Sequence, residues 1–161
     1  FSNMAKEYRK FRKDLTLVAS NIAENEFVEN FGRNKTGGYR EKGVFTGWQP
    51  RKKIKGKRES KRSVLVKSGR LRRSFSKRPD FNYARVVNTA PYAQIHNEGG
   101  IISGTFKIRE HMRKKSKVKQ HMRTVKTKIP KRPFMVTNSH IIEAIDKHVE
   151  NSLNKIFKTF A

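Results

Sequence analysis

The sequence predicts an α+β fold in which an N-terminal helix and a C-terminal helix flank an antiparallel β-sheet. Apolar residues recur at helical spacing near both ends of the chain, which predicts the two helices. The middle of the chain consists of short apolar segments separated by glycine, proline and polar turns, which predicts the sheet. Because 161 residues suit one domain, we assign 1–161 to a single domain, with a helix over 1–31, a sheet over 63–136 and a helix over 139–160.

The N-terminal helix is predicted from six apolar residues that follow one another at spacings of three and four. These residues are Met4, Tyr8, Phe11, Leu15, Val18 and Ile22. Such a stripe fits a helix packed on its own domain or one docked on a neighbouring subunit. Gly32 should end the helix, and the glycine-rich stretch 32–47 should be a loop.

Short strands are predicted in the middle of the chain, over 63–66, 71–76, 81–87, 92–95 and 130–136. The segment from about 101 to 129 predicts a long antiparallel hairpin whose basic, polar tip projects from the domain. Asn138 or Ser139 should cap the C-terminal helix, whose apolar face begins at Ile141.

The chain is strongly basic, and the charge is local. Its net charge is +26, of which residues 51–78 carry +13 and residues 107–132 carry +11. Such segments suit either the phosphates of a nucleic acid or an acidic protein partner, and the sequence leaves both open. The residues that we expect to face a partner or DNA are Arg51, Lys52, Lys53, Lys55, Lys57, Arg58, Arg113, Lys114, Lys115, Lys117 and Lys119.

The chemistry of an enzyme is not indicated. The chain has no cysteine, which excludes disulfides and thiolate metal sites, and no apolar run reaches the ~20 residues that span a bilayer. His96-Asn97-Glu98 resembles part of a nuclease site, but the nearest further histidines lie in the most cationic segment. We therefore expect no catalytic residue, no metal, no cofactor and no membrane partner.

Four motifs in order give the chain a recognisable pattern: GWQP at 47–50, LVKSGRLRRS at 65–74, YAQIHNEGG at 92–100 and IPKRPF at 129–134. In this order they resemble the phage virion-morphogenesis family, which includes tail-completion proteins, and neck proteins of other tailed phages share parts of the pattern. The motif residues are Trp48, Leu65, Ser68, Gly69, Leu71, Ser74, Tyr92, Ala93, His96, Gly99, Gly100, Pro130, Arg132, Pro133 and Phe134.

The resemblance implies a structural virion protein without catalytic residues. It implies a homo-oligomeric ring at the head–tail junction or the top of the tail, assembled in the cytoplasm of the host bacterium. The expected partners are other neck, portal-side or tail-tube proteins, with non-specific contact to phage DNA. In this setting Phe134 and Trp48 should fill the core. The alternative is a basic nucleic-acid-binding module of ribosomal-protein type, or an assembly factor.

Overall fold

The computed structural model describes residues 2–33, 36–51, 63–113 and 116–160, without the side chains of Ser2, Arg113 and Phe160. Two long helices and two short ones lie in this part of the chain: α1 (Ser2–Glu29), α2 (Arg70–Arg73), α3 (Ala93–Glu98) and α4 (Ser139–Phe160). The predicted α+β class, with a helix at each end and antiparallel strands between them, is confirmed.

The strands of the described residues form four separate two-stranded antiparallel ladders. The pairs are β1 (Gly38–Glu41) with β2 (Val44–Gly47), β3 (Phe75–Lys77) with β4 (Val86–Asn88), β5 (Gly100–Ile108) with β8 (His121–Ile129), and β6 (His111–Arg113) with β7 (Ser116–Val118). The last two pairs are successive parts of the predicted hairpin, which therefore has the expected arms.

Helices α1 and α4 pack along one another, and a buried carboxylate joins them where α4 begins. Glu26 accepts hydrogen bonds from Arg33 at 2.7 Å and from the amide of Asn138 at 2.9 Å. The Oδ1 atom of Asn138 accepts a hydrogen bond from the Ile141 amide at 3.0 Å and so caps α4, as predicted for this residue. The polar end of one helix thus fixes the start of the other.

Aromatic rings fill the core between the helices and the ladders. Phe31 and Phe134 are completely buried, and their ring centroids are 5.2 Å apart. Trp48 contacts Phe31 edge to face at 5.5 Å, and Phe75 contacts Phe134 at 6.1 Å. Because each aromatic ring buries a large area, this small cluster compensates for a chain that is only 34% hydrophobic.

Several elements differ from the sequence-based prediction. Residues 70–73 and 93–98 are helical, although strands were predicted at 71–76 and 92–95. Residues 130–136 form no strand, and the predicted loop 32–47 contains the β1–β2 hairpin. That hairpin closes through a two-residue turn, Lys42 and Gly43, and both residues have positive φ. Positive φ at both positions gives the turn a twist that matches the twist of the strands.

Replacing Phe134 by alanine should lower the free energy of unfolding by about 3–5 kcal/mol, because the substitution leaves a cavity between the buried rings. Chemical denaturation followed by circular dichroism measures this change. Phe106→Ala is the matched control, since that ring is 53% exposed. Equal stability of Phe134→Ala and the unsubstituted chain would contradict a core role for Phe134.

Candidate functional site

The segment that leads out of the hairpin, residues 130–135, is held in the body by side chains from distant parts of the sequence. We call it the root segment. The indole nitrogen of Trp48 donates to the Pro133 carbonyl at 2.9 Å, and the amide of Asn30 donates to the Phe134 carbonyl at 3.2 Å. In the other direction, Nε of Arg132 donates to the Gln49 carbonyl at 3.1 Å. These bonds pair buried main-chain groups that no strand partner reaches.

Helix α3 holds the same segment from the other side. Oδ1 of Asn97 accepts hydrogen bonds from the main-chain amides of Phe134 and Met135, both at 3.0 Å. The Arg132 amide also donates to the His96 carbonyl at 3.0 Å. Helix α3 immediately precedes β5, so these bonds fasten the two ends of the hairpin to each other.

Gly99 permits the close approach of these two ends. Its φ is +77°, and a Cβ atom there would lie 2.8 Å from the main-chain nitrogen of Lys131. A side chain at residue 99 would therefore be strained and would also push the root segment away. The close contact at the base of the hairpin therefore requires glycine at residue 99, the first of the two glycines in the third motif.

The structure brings most of the motif residues together around this base. Trp48, Leu71, Ala93 and Phe134 belong to one buried cluster, against which Leu65 and Tyr92 pack. The motif residues at element boundaries are Ser68 and Gly69 before α2, Ser74 after it, Gly99 and Gly100 where β5 begins, and Pro130, Arg132 and Pro133 after β8. The motifs thus mark the body and the hairpin's base, and the hairpin itself lies between the last two.

A cleft of about 600 Å³ opens beside the root segment, and cationic groups line it. Arg51, Arg132 and His96 all border the cleft. Burial, and then the charge of Arg132, lower the pKa of His96. Burial, and then the charge of Arg51, lower the pKa of Arg132, which nevertheless stays protonated at neutral pH. Nδ1 of His96 is buried without a hydrogen-bond partner among the described residues. Since a protonated imidazole would need an acceptor at this atom, the neutral form of His96 fits this side of the cleft better.

The hairpin is exposed on both of its faces. Phe106 and Met122 are 53% and 63% exposed, although each lies within the nine-residue ladder of β5 and β8. Where the two ladders of the hairpin meet, His111 and His121 make matching contacts, since each Nδ1 atom lies 3.0 Å from the carbonyl oxygen two residues earlier. The base of the hairpin is thus held firmly by the body, whereas the two-stranded ladder that extends from it leaves large apolar side chains exposed to solvent.

The predicted partner-facing residues are only partly described. Arg51 donates to the Ser63 carbonyl at 2.7 Å and borders the cleft. Lys117 pairs with Glu110 at 2.9 Å, Lys119 is exposed, and Arg113 ends β6. The other predictions, Lys52, Lys53, Lys55, Lys57, Arg58, Lys114 and Lys115, lie outside the described residues.

Sequence reasoning missed two asparagines that hold the base, Asn30 and Asn97. It predicted Asn138 as a helix cap but missed its bond to Glu26, which is 4% exposed and joins α4 to α1. A single sequence does not show which asparagines are buried, because a buried asparagine repeats at no regular spacing and looks like the exposed polar residues around it. The position of Asn97 within the third motif, between His96 and the glycines, is the signal that could have found it.

Within the part of the chain that the structure describes, no cluster of three or more histidine, aspartate or glutamate side chains could hold a metal ion. None of the described helices is long and apolar enough to cross a membrane.

Comparison with known proteins gives one match. The model of the phage virion morphogenesis family matches residues 40–154, which include all four motifs, the hairpin and most of α4. No curated protein and no solved structure matches the chain.

Asn97→Ala should lower the free energy of unfolding by about 1–3 kcal/mol, because the amides of Phe134 and Met135 lose their acceptor. Thermal and chemical unfolding measure this loss. Asn154→Ala, at an exposed position on α4, should leave stability unchanged or slightly raised, since alanine favours helix. If the two variants were equally stable, Asn97 would not hold the base.

Stability should depend on pH through His96. Its pKa in the folded chain lies below the ordinary value of 6.5, so the unfolded chain binds this proton more tightly. The stability that neutral His96 contributes to the folded chain is therefore fully present above pH 6.5 and is lost as the pH falls towards the pKa of His96 in the folded chain.

Melting temperatures measured between pH 8 and pH 5 test this dependence. The unsubstituted chain should lose more stability on acidification than His96→Gln. An unchanged pH profile in His96→Gln would contradict the assignment.

Proposed function

The chain belongs to the phage virion morphogenesis family, and from this membership we propose that it forms a homo-oligomeric ring that acts in head–tail joining or tail completion. The membership itself supports a structural or assembly role in the phage virion and contact with other virion proteins. The ring and its place at the head–tail junction or the top of the tail are the proposal.

The observation that carries this proposal is the exposed hairpin on its firmly held base. The main-chain groups of the root segment are paired with Trp48, Asn30 and Asn97. The ladder of β5 and β8 nevertheless leaves large apolar side chains in solvent. A two-stranded ribbon alone is only marginally stable in water, so such a ribbon gains most when a neighbouring protein covers it. This arrangement suits a subunit that works by docking.

The charge supports a place among acidic surfaces. Residues 100–129 carry ten basic side chains and one acidic side chain. Basic arms of this kind steer assembly onto acidic neighbours and fix their register. The proposed neighbours are further copies of the chain and other neck, portal-side or tail-tube proteins. The same charge favours non-specific contact with phage DNA, which would follow the phosphates.

Counting copies of the chain in purified, nuclease-treated phage particles tests this function. Quantitative mass spectrometry should give a small fixed number per particle, about six or twelve, as a closed cyclic ring requires. Treatment with 1 M salt, at which the screening length falls to ~3 Å, serves as the control, because a chain carried only on DNA would be lost.

Absence of the chain from particles would contradict the proposal. The chain would then be an assembly factor or a nucleic-acid-binding module, which is the alternative that its charge favours.

A further inference from the structure

We propose that the hairpin of one copy lies across the outer face of α4 of the next copy. This inference rests on the proposed ring and names the two surfaces that form it. One is the apolar face of the β5–β8 ladder, and the other is a stripe along α4 that we call the acidic stripe.

The register of the ladder gives the hairpin two different faces. Side chains alternate between the faces of a ribbon, so Ile102, Phe106 and Val125 share one face. Arg123, which opposes Phe106 in the register, lies on this face too. Lys126 and Lys128 lie on the other, with Thr105 and Thr124, whose hydroxyls are 3.1 Å apart. Gly104 lies beneath the Phe106 ring, since a Cβ atom there would be 3.2 Å from its Cζ. The apolar face therefore carries a cation of its own beside Phe106, and the two lysines stand on the opposite face.

Helix α4 presents a complementary surface. The acidic stripe consists of residues at spacings of four, four, three and four, which lie on one line along a helix: Ile142, Asp146, Glu150, Leu153 and Phe157. Ile142 and Phe157 are 52% and 59% exposed. Among the described residues, neither Asp146 nor Glu150 has an ion-pair partner. The stripe therefore presents carboxylates and apolar side chains together on one side of the helix.

The two surfaces match in chemistry and in length. Each combines apolar side chains with charge, and the signs are opposite. The stripe runs for about 22 Å at 1.5 Å per residue, and the ladder runs for about 27 Å at 3.4 Å per residue. Their exposure means that the described part of the chain covers neither surface. A contact between two different surfaces of identical copies is head-to-tail, and repeating it generates a ring if the rotation closes.

DNA explains these observations less well than a second copy. A phosphate backbone would neutralise the lysines and arginines of the hairpin, but it would leave Ile102 and Phe106 in water. It would also leave the acidic stripe unexplained. A second copy covers both apolar surfaces and places Arg123 of the hairpin against the carboxylates of the acidic stripe.

Cysteine cross-linking in assembled particles tests the contact directly, because the chain has no cysteine of its own. Chains carrying Phe106→Cys with Asp146→Cys, or Phe106→Cys with Glu150→Cys, are incorporated into particles and treated with a short bis-maleimide linker. Denaturing gels should show a ladder of dimers and higher multimers. Two stripe positions one helical turn apart allow for the register of docking.

The matched control is Phe106→Cys with Tyr83→Cys, because Tyr83 is 64% exposed but does not lie on α4. This pair should remain monomeric. Particles that contain the chain at its normal copy number but give no ladder from either stripe pair would overturn the docking and leave the ring intact. Particles without the chain would instead overturn the proposed function, and the docking with it.

Charge reversal gives a second readout. Asp146→Lys with Glu150→Lys places cations opposite the basic hairpin and should reduce the copies per particle about tenfold or more, since opposed like charges repel one another. Glu7→Lys with Asp14→Lys, at exposed positions on α1, adds the same charge and should have no effect. Binding through DNA would not be weakened by added positive charge, so unchanged incorporation of the α4 variant would overturn the proposal.

Discussion

The structure depends on the pairing of the main-chain groups of residues 130–135 with side chains from elsewhere. Pro130 and Pro133 have no amide hydrogen, so the segment cannot complete a ladder, yet it runs through the core and cannot leave its polar groups bare. Trp48, Asn30 and Asn97 provide the missing donors and acceptors. Asn30 follows α1, Trp48 follows β2 and Asn97 lies in α3, so the pairing brings these three elements together around Phe134.

This constraint explains why the basic hairpin can be both well placed and uncovered. Its two ends are joined at Gly99 and Lys131 and through the bond from Arg132 to His96. The position of the ribbon is therefore set by the body, whereas its own ladder contributes little stability. A partner that covers Phe106 and its neighbours would add the missing burial at a cost already reduced by the held base. Family membership and the charge of the hairpin both fit such an assembly role.

The sequence predicted the features that repeat along the chain and missed those that depend on single contacts. Helices α1 and α4 and the hairpin arms extend over enough residues to show a period. The α2 and α3 helices have four and six residues, too few to show one, and periodicity cannot distinguish such short segments from strands. Residues 130–136 have the composition of a strand, but their partners are side chains. The proposed match between the acidic stripe and the Phe106 face of the hairpin could not be predicted, because it requires the hairpin register and the exposed face of α4.

Hydrogen–deuterium exchange, measured on the free chain and on assembled particles, tests the central claim most directly. In the free chain the amides of Arg132, Phe134 and Met135 should exchange slowly, while those of the β5–β8 ladder exchange quickly. Assembly should slow the exchange of the ladder and leave the root segment unchanged. Slow exchange of the ladder in the free chain, or fast exchange that assembly does not alter, would contradict a hairpin that is held at its base and covered by a partner.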